Sequence, residues 1–196
     1  MKETIEMNEN DIKILAIVGM SGSGKSVVVD YLTEKGYPKV YFGGMIYKEM
    51  NRRGIERTAD GESEKRFREM IRETEGKDWV VKQVIDETKN LIKAGQKRIV
   101  LDGLYSWTEY KALKREFPGQ LTVLAVVVPK ALRHFRVGKR PERPFNTKEI
   151  QERDRSEIEN LEKGGPIAMA DFYVLNDDTV AKLHDDVDKI LRRIEF

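Results

Sequence analysis

The sequence contains no cysteine. That excludes a disulfide framework, a zinc–thiolate site and a cysteine nucleophile. It has only two histidines, His134 and His184, far apart in the chain, and each reads as a surface or packing residue. No run of His, Asp and Glu has the spacing of a metal site, so no ion is expected to be held by protein side chains alone. The two tryptophans, Trp79 and Trp107, read as packing residues. Long hydrophobic runs are absent: the most apolar stretches, 14–18 and 121–128, fall far short of the roughly 20 residues of a membrane span. The first ten residues are polar and lack the apolar core of a signal peptide. The expectation is a soluble, cytoplasmic protein with no membrane partner. Charge of one sign is also missing. With 36 Lys+Arg against 34 Asp+Glu the net charge is +2, which argues against a protein that coats nucleic acid. There is no internal repeat and no low-complexity tract.

What is present is ample length and much balanced charge. The 196 residues suit one domain, 1–196, with room for a small insert. Charged residues make up 36%, against about 25% in an average domain. Short apolar runs alternate with helical stretches. Residues 12–18 (IKILAIV), 39–42, 98–101, 121–128 and 172–175 read as strands. Residues 121–128 (LTVLAVVV) show no polar alternation, as expected of a strand buried on both faces. Helices are expected at about 25–35, 44–53, 62–94 with a break near Gly76, 106 onward, 129–137, 146 onward and 180–194. Ser106 with Glu109 spells a capping box. Strand alternating with helix implies a parallel sheet built from βαβ crossovers, a three-layer α/β domain with five strands and about eight helices.

The strongest chemical signal is Gly19-Met20-Ser21-Gly22-Ser23-Gly24-Lys25-Ser26, which fits G-x-x-x-x-G-K-[ST] in full. Glycines permit backbone conformations closed to other residues and keep side chains away from phosphate oxygens. Successive N–H groups then converge on the anion, and the helix that follows aims its positive end at it. Gly19, Ser21, Gly22, Ser23, Gly24, Lys25, Ser26 and Val27 are therefore candidate nucleotide contacts. Lys25 would reach the β- and γ-phosphates and Ser26 would join a Mg²⁺ shell. The plainer alternative is a glycine-rich turn, but at average composition the pattern arises by chance in a chain this long less than about once in a hundred. It also lies between an expected strand and an expected helix. The motif names a nucleoside triphosphate, not a reaction. The N-K-x-D run of GTPases and the L-S-G-G-Q-like signature of ATP transporters are absent, and the chain is short for an AAA-type motor. A small-molecule kinase fits the size.

Asp102 ends the third strand, where a carboxylate of a parallel sheet faces the ligand crevice. It could hold Mg²⁺ or orient an attacking hydroxyl, or merely cap the turn at Gly103. From 133 to 155 there are eight Lys/Arg against four acids. A lid closing over the triphosphate would use Arg133, Arg136, Arg140 and Arg143 to neutralise charge on the transferred group and exclude water. The competing reading is a solvated basic face, preferred for Lys148 and Arg155. Arg153 and Asp154 read as a local ion pair, or Arg153 as pointing into the site.

Together, IVGMSGSGKS, Phe42-Gly43-Gly44-Met45-Ile46, IVLDGLYS, Gln151-Glu152-Arg153-Asp154-Arg155 and Ile167-Ala168-Met169-Ala170-Asp171 with Asn176 resemble the nucleotide-kinase branch of P-loop proteins. That branch includes adenylate kinase and dephospho-CoA kinase, and the likeness is strongest to adenylate-kinase-related and dephospho-CoA-kinase-like proteins. The resemblance implies a three-layer P-loop NTPase fold with a five-stranded parallel sheet ordered 2-3-1-4-5. It implies a helical acceptor-binding insert at about 44–94, a lid at about 133–153, and a turn near Asn176 beside the adenine. It also implies ATP and Mg²⁺ as cofactors. Arg136 and Asn176 join the nucleotide contacts; Lys25, Asp102, Arg140 and Arg143 would be catalytic, and Ser26 with Asp102 would hold the metal.

The chain departs from that pattern where relatives carry arginines that grip the acceptor phosphate. Tyr47 and Tyr105 stand at those places, and a phenol donates one neutral hydrogen bond, not a charged pair. Lys48, Arg52, Arg53 or Arg57 could compensate, so Tyr47, Arg53, Arg57 and Tyr105 are the candidate acceptor contacts. The expected activity is ATP-dependent phosphoryl transfer to a nucleotide or nucleotide-like acceptor, of nucleoside monophosphate or dephospho-CoA type, by a monomer or small homo-oligomer. The alternatives are a nucleotide-dependent switch with weak hydrolysis only, and a nucleic-acid end kinase.

Overall fold

The computed structural model describes residues 11–58, 61–141 and 144–196. In chain order the elements are β1 (Lys13–Val18), α1 (Lys25–Glu34), β2 (Lys39–Tyr41), α2 (Phe42–Arg52), α3 (Glu62–Thr74), α4 (Trp79–Lys93) and β3 (Arg98–Asp102). There follow α5 (Trp107–Glu116), β4 (Leu121–Val127), α6 (Lys130–Gly138), α7 (Thr147–Glu159), α8 (Gly164–Ala168), β5 (Phe172–Leu175) and α9 (Val180–Ile194).

The strands form one sheet in the order β2-β3-β1-β4-β5, and every pairing is parallel. This is the expected fold. Alternate strand residues serve two separate cores. Ile14, Ala16 and Val18 of β1 join Ile99, Leu101, Val123 and Ala125 on one face, under Val81 and Val84 of α4 and Tyr110 and Leu113 of α5. Leu15 and Ile17 join Val100, Leu124 and Val126 on the other, against Val28, Val29 and Leu32 of α1 and Leu183, Val187 and Leu191 of α9. A strand covered on both sides has no wet face, which is why the central strands read as unbroken apolar runs. A third, smaller core (Ile46, Met50, Phe67, Ile71) ties α2 to α3 and rests on Trp79 and Val80 of α4. Among the described residues no helix is long and apolar enough to cross a membrane.

Two elements differ from the sequence reading. Helix α2 begins at Phe42, so Gly43 and Gly44 lie in its first turn, where the Tyr41 ring packs against them. Helix α8 is not announced by Gly164-Gly165-Pro166, which looks like a turn; proline is tolerated there because first-turn N–H groups need no helical partner.

The order of crossovers positions the site. The chain leaves β1 for one side of the sheet and returns to the other side through β4, so a crevice opens at the carboxyl ends of β1 and β3. The glycine-rich loop follows β1. Asp102 closes β3, in register beside Ile17.

Candidate active site

The loop 19–26 passes from β1 into α1 as a cradle. Gly24 sits at φ +89°, and a Cβ there would lie 2.2 Å from the Asn176 amide nitrogen, so glycine is required on both counts. Gly22 is seated against Val137 and Arg133 of α6. No side chain caps the first turn of α1, whereas α5 and α7 are closed by the boxes Ser106/Glu109 and Asn146/Glu149. Helices α2, α3, α4 and α6 likewise lack a side-chain cap, so it is the glycine-rich loop in front of α1 that suits its opening N–H groups to an anion. The buried Ser23 hydroxyl also has no partner among the described residues.

Lys25 folds back so that its ammonium donates to the carbonyls of Gly19 (2.7 Å) and Met20 (3.0 Å). Burial drives its pKa down to about 7; Lys163 pushes the same way, while Glu157 and Asp102 oppose. Asp102 is held above the usual carboxylate range by burial, with Lys39 and Lys25 acting against that. Among the described residues its only ion pair is the loose one to Lys39, at 4.0 Å. Ser26 is exposed at the start of α1.

The back of the loop is braced by charge. Arg133 grips Asp154 of α7 with two bonds of 2.6 Å and donates to the Ser21 carbonyl at 3.0 Å. The His134 ring nitrogen lies 2.8 Å from the same carboxylate. Glu157 accepts from the Ser21 N–H at 2.9 Å. Asn176 donates its side-chain amide to the Ser23 carbonyl (2.9 Å), and Arg136 donates to the Asn176 carbonyl (2.6 Å).

A cavity of about 310 Å³ opens against Tyr41, the register partner of Asp102, without Asp102 itself lining it; its volume is within the range of small-molecule sites. Tyr41, Phe42, Tyr47 and Tyr105 supply aromatic wall. Arg68 and Arg72 of α3, Lys77 and Arg153 supply four cations, set against Glu109 and Glu162. Glu109 is the buried acid of the α5 capping box; burial raises its pKa to about 7, against the Tyr105 and Ser106 N–H groups that favour the charged form. Gly103 makes the wall possible: a Cβ there would lie 2.6 Å from the Tyr105 ring.

A family model described as AAA domain matches residues 15–162. A UPF0200 protein of Pyrococcus abyssi is 33% identical over 186 residues, covering 93% of this chain and 97% of that one. The chain is a member of the AAA domain family and of UPF0200. Solved structures extend the likeness in fold alone. A shikimate kinase from Bacteroides thetaiotaomicron superposes with a TM-score of 0.59 at 9% identity, covering 94% of this chain and 99% of that one. A dephospho-CoA kinase from Campylobacter jejuni gives 0.58 at 16% identity, covering 94% and 98%. The UPF0200 chain therefore has a P-loop kinase-like fold.

Within this family member the expected residues are only partly brought together. Gly19, Ser21, Gly22, Ser23, Gly24, Lys25, Ser26 and Val27 lie in or next to the cradle, with Asn176 against it. Tyr47 and Tyr105 face the cavity. Arg53 does not: Glu49, one turn earlier on the same helix face, takes it at 2.7 Å, with Glu75 at 3.6 Å. Arg57 stands behind the wall, its guanidinium 4.2 Å from the Tyr47 ring centroid and paired to Glu64 at 3.1 Å. Arg140 is exposed just past α6 and adds positive potential at Lys25. Arg143 lies outside the described residues. The basic stretch divides: Arg133 and Arg136 turn to Asp154 and to the Asn176 carbonyl, whereas Lys139, Arg140, Lys148 and Arg155 are exposed, as preferred for Lys148 and Arg155, and Arg153 stays half-exposed while bonding Glu157 of its own helix. Asp154 pairs with Arg133 and not with Arg153, because adjacent helix residues point apart. Arg68 and Arg72 went unnoticed in the sequence. Their signal was a four-residue spacing one step beyond the buried Phe67 and Ile71. Among the described residues no cluster of three or more His, Cys, Asp or Glu could hold a metal ion.

Proposed function

We propose that this protein is an ATP-dependent phosphotransferase acting on a small phosphate-bearing acceptor of nucleotide or nucleotide-like type. The observation that carries the reading is a cationic, aromatic-walled cavity whose Tyr41 is the register partner of Asp102 and whose Arg153 bonds the Glu157 that holds the Ser21 N–H of the phosphate loop. The cradle suits a triphosphate: α1 is uncapped, Ser23 has an unused hydroxyl, and a side chain at Gly24 would collide. ATP with Mg²⁺ supplies, when bound, the group to be transferred and part of the neutralising charge. Gly22, Ser23, Gly24, Lys25, Ser26 and Val27 bind phosphate through N–H groups and the Lys25 ammonium. Ser26 and Asp102 are the oxygen donors for the cation. Where the acceptor attacks through a hydroxyl, as one of dephospho-CoA type does, Asp102 also orients that hydroxyl and takes its proton at a carboxylate oxygen; a nucleoside monophosphate would attack through a phosphate oxygen and need no such base. Arg140 adds positive potential at Lys25, Arg143 is retained as a second candidate cation from the sequence alone, and Arg136 with Asn176 shapes the nucleobase end. The insert at about 44–94 forms the acceptor side, where Arg68, Arg72, Lys77 and Arg153 do what the absent arginines would do. Those cations remove the motive for a mere nucleotide switch. The commitment of Arg133 and Arg136 to internal partners weakens the case for a nucleic-acid end kinase.

The test is a panel of acceptors with labelled ATP: nucleoside monophosphates, dephospho-CoA, shikimate and gluconate. Transfer to a phosphate-bearing member is expected, and slow hydrolysis with no acceptor labelled overturns the proposal.

Binding should also move a proton. With its pKa near 7, Lys25 is largely neutral at pH 8, and an anion in the cradle favours the charged form. Binding of MgADP at pH 8 is expected to take up close to one proton, ~0.9, and little at pH 6. Calorimetry in buffers of different ionisation heat reads this directly. Equal heats at pH 8 after correction for binding would remove Lys25 as the titrating group.

A further inference from the structure

Between the phosphate cradle and the cavity lies a buried ion pair that the reaction as described does not use. Glu157 and Lys163 are each 1% exposed, and Lys163 Nζ stands 2.9 Å from Glu157 Oε2. The same oxygen accepts the Ser21 N–H at 2.9 Å. The other oxygen takes Arg153 Nε at 3.2 Å, and Arg153 lines the cavity. On its far side the Lys163 ammonium sits 4.9 Å from the centroid of the Tyr105 ring, which is cavity wall. The turn that drives Lys163 inward holds Glu162 at φ +55°, a left-handed conformation uncommon outside glycine. Just beyond it, Gly165 is packed so tightly on Trp107 that a Cβ would come within 2.8 Å of the indole.

Burying two ions costs several kcal/mol each, and apolar replacements of such pairs are often neutral or better. Stability alone is thus a weak reason for this pair. Its position supplies a stronger one. A carboxylate on an N–H of the phosphate loop is repelled by an incoming anion, and the neighbouring ammonium is attracted to it. Either movement acts on Tyr105 and on the turn under Trp107.

We infer that Glu157 and Lys163 form a positioning pair that ties the phosphate loop to the wall of the acceptor cavity, so that occupancy of the loop is registered at Tyr105 and Trp107. The inference rests on the nucleotide-binding reading above. The experiment uses the full chain carrying Trp79→Phe, which leaves Trp107 as its only tryptophan. MgADP is titrated while Trp107 emission is read, with calorimetry in parallel. Emission is expected to change with the calorimetric midpoint. The double variant Glu157→Gln/Lys163→Met keeps an acceptor for Ser21 N–H and an unbranched stem beside Tyr105. It should bind MgADP within about tenfold of the parent and lose the Trp107 response. Glu157→Gln alone should reduce the response, which keeps the test decisive if the double variant does not fold. A parent that binds MgADP with silent Trp107, or a variant that keeps the full response, overturns the pair. A parent that gives no calorimetric binding overturns the nucleotide reading and the pair with it.

Discussion

Replacing Lys25 by alanine is expected to cut phosphoryl transfer by about 10²–10³ or more while leaving the fold intact, since the ammonium is the charged donor aimed into the cradle. Structurally the ammonium is held by two hydrogen bonds, to the carbonyls of Gly19 and Met20, and by no bonded carboxylate among the described residues. Its charge opposes folding, because burial lowers the pKa from 10.5 to about 7. Between those two values the unfolded chain binds the proton and the folded chain does not, so this group makes stability rise with pH across that window. Below pH 7 the folded state carries the full cost of the buried charge. Lys25→Ala removes that cost, so its melting temperature at pH 7 should equal or exceed the wild type's. Transfer assays with the acceptor found in the panel, alongside thermal unfolding, check both halves. Wild-type turnover in the variant would sink the assigned role, and a collapse in melting temperature would show that the lysine holds the loop together.

The second large effect is on stability. Arg133→Met should cost about 3 kcal/mol or more, because it leaves Asp154 with one of two partners in a largely dry place. The pair is bidentate at 2.6 Å, with side chains 8% and 17% exposed. For a domain of this size that is a fall of roughly 6–12 °C in Tm. Arg133 also holds the Ser21 carbonyl, so nucleotide affinity should fall with it. The pH dependence has a definite sign. Burial pushes the Asp154 pKa up, but Arg133 and His134 outweigh it and hold the carboxyl below its ordinary value of 3.8. The pair's contribution is therefore complete above that value and lost as pH falls through the depressed one. The gap between wild type and Arg133→Met should narrow in acid. Changing both partners, Arg133→Met with Asp154→Leu, should restore part of the loss. A Tm change under about 2 °C at pH 7 would show that the brace carries little.

Much of the fold was legible because its signals are local. A strand buried on both faces must be apolar throughout, so IKILAIV and LTVLAVVV declare themselves. A capping box spans four residues, so Ser106 and Glu109 mark the start of α5. The phosphate loop is contiguous for the same reason: its donors are consecutive backbone N–H groups. Asp102 could be placed because the end of a parallel strand has a known side of the sheet to face.

The acceptor side was not legible in that way. Tyr47 and Tyr105 were visible as departures, but their cationic neighbours come from α3 and α7 and from Lys77. Arg53 was a fair candidate by proximity in sequence, and helix geometry gave it to Glu49 instead. The basic stretch 133–155 could be read as a lid or as a solvated face because a sequence shows charge without direction. Two of its arginines, Arg133 and Arg136, turn to partners elsewhere in the fold, while Lys139, Arg140, Lys148 and Arg155 are exposed.

The sequence by itself determined the parallel sheet, the phosphate cradle and the carboxylate beside it, because each depends on residues within one or two turns of chain. Only the tertiary structure decided which charges meet. Arg133 reaches Asp154, Arg136 reaches Asn176, and Glu157 reaches Ser21 across gaps of 21, 40 and 136 residues. Such pairs are chosen by burial: a charge removed from water must find its counterion wherever packing puts one, and no local pattern of residues records that choice.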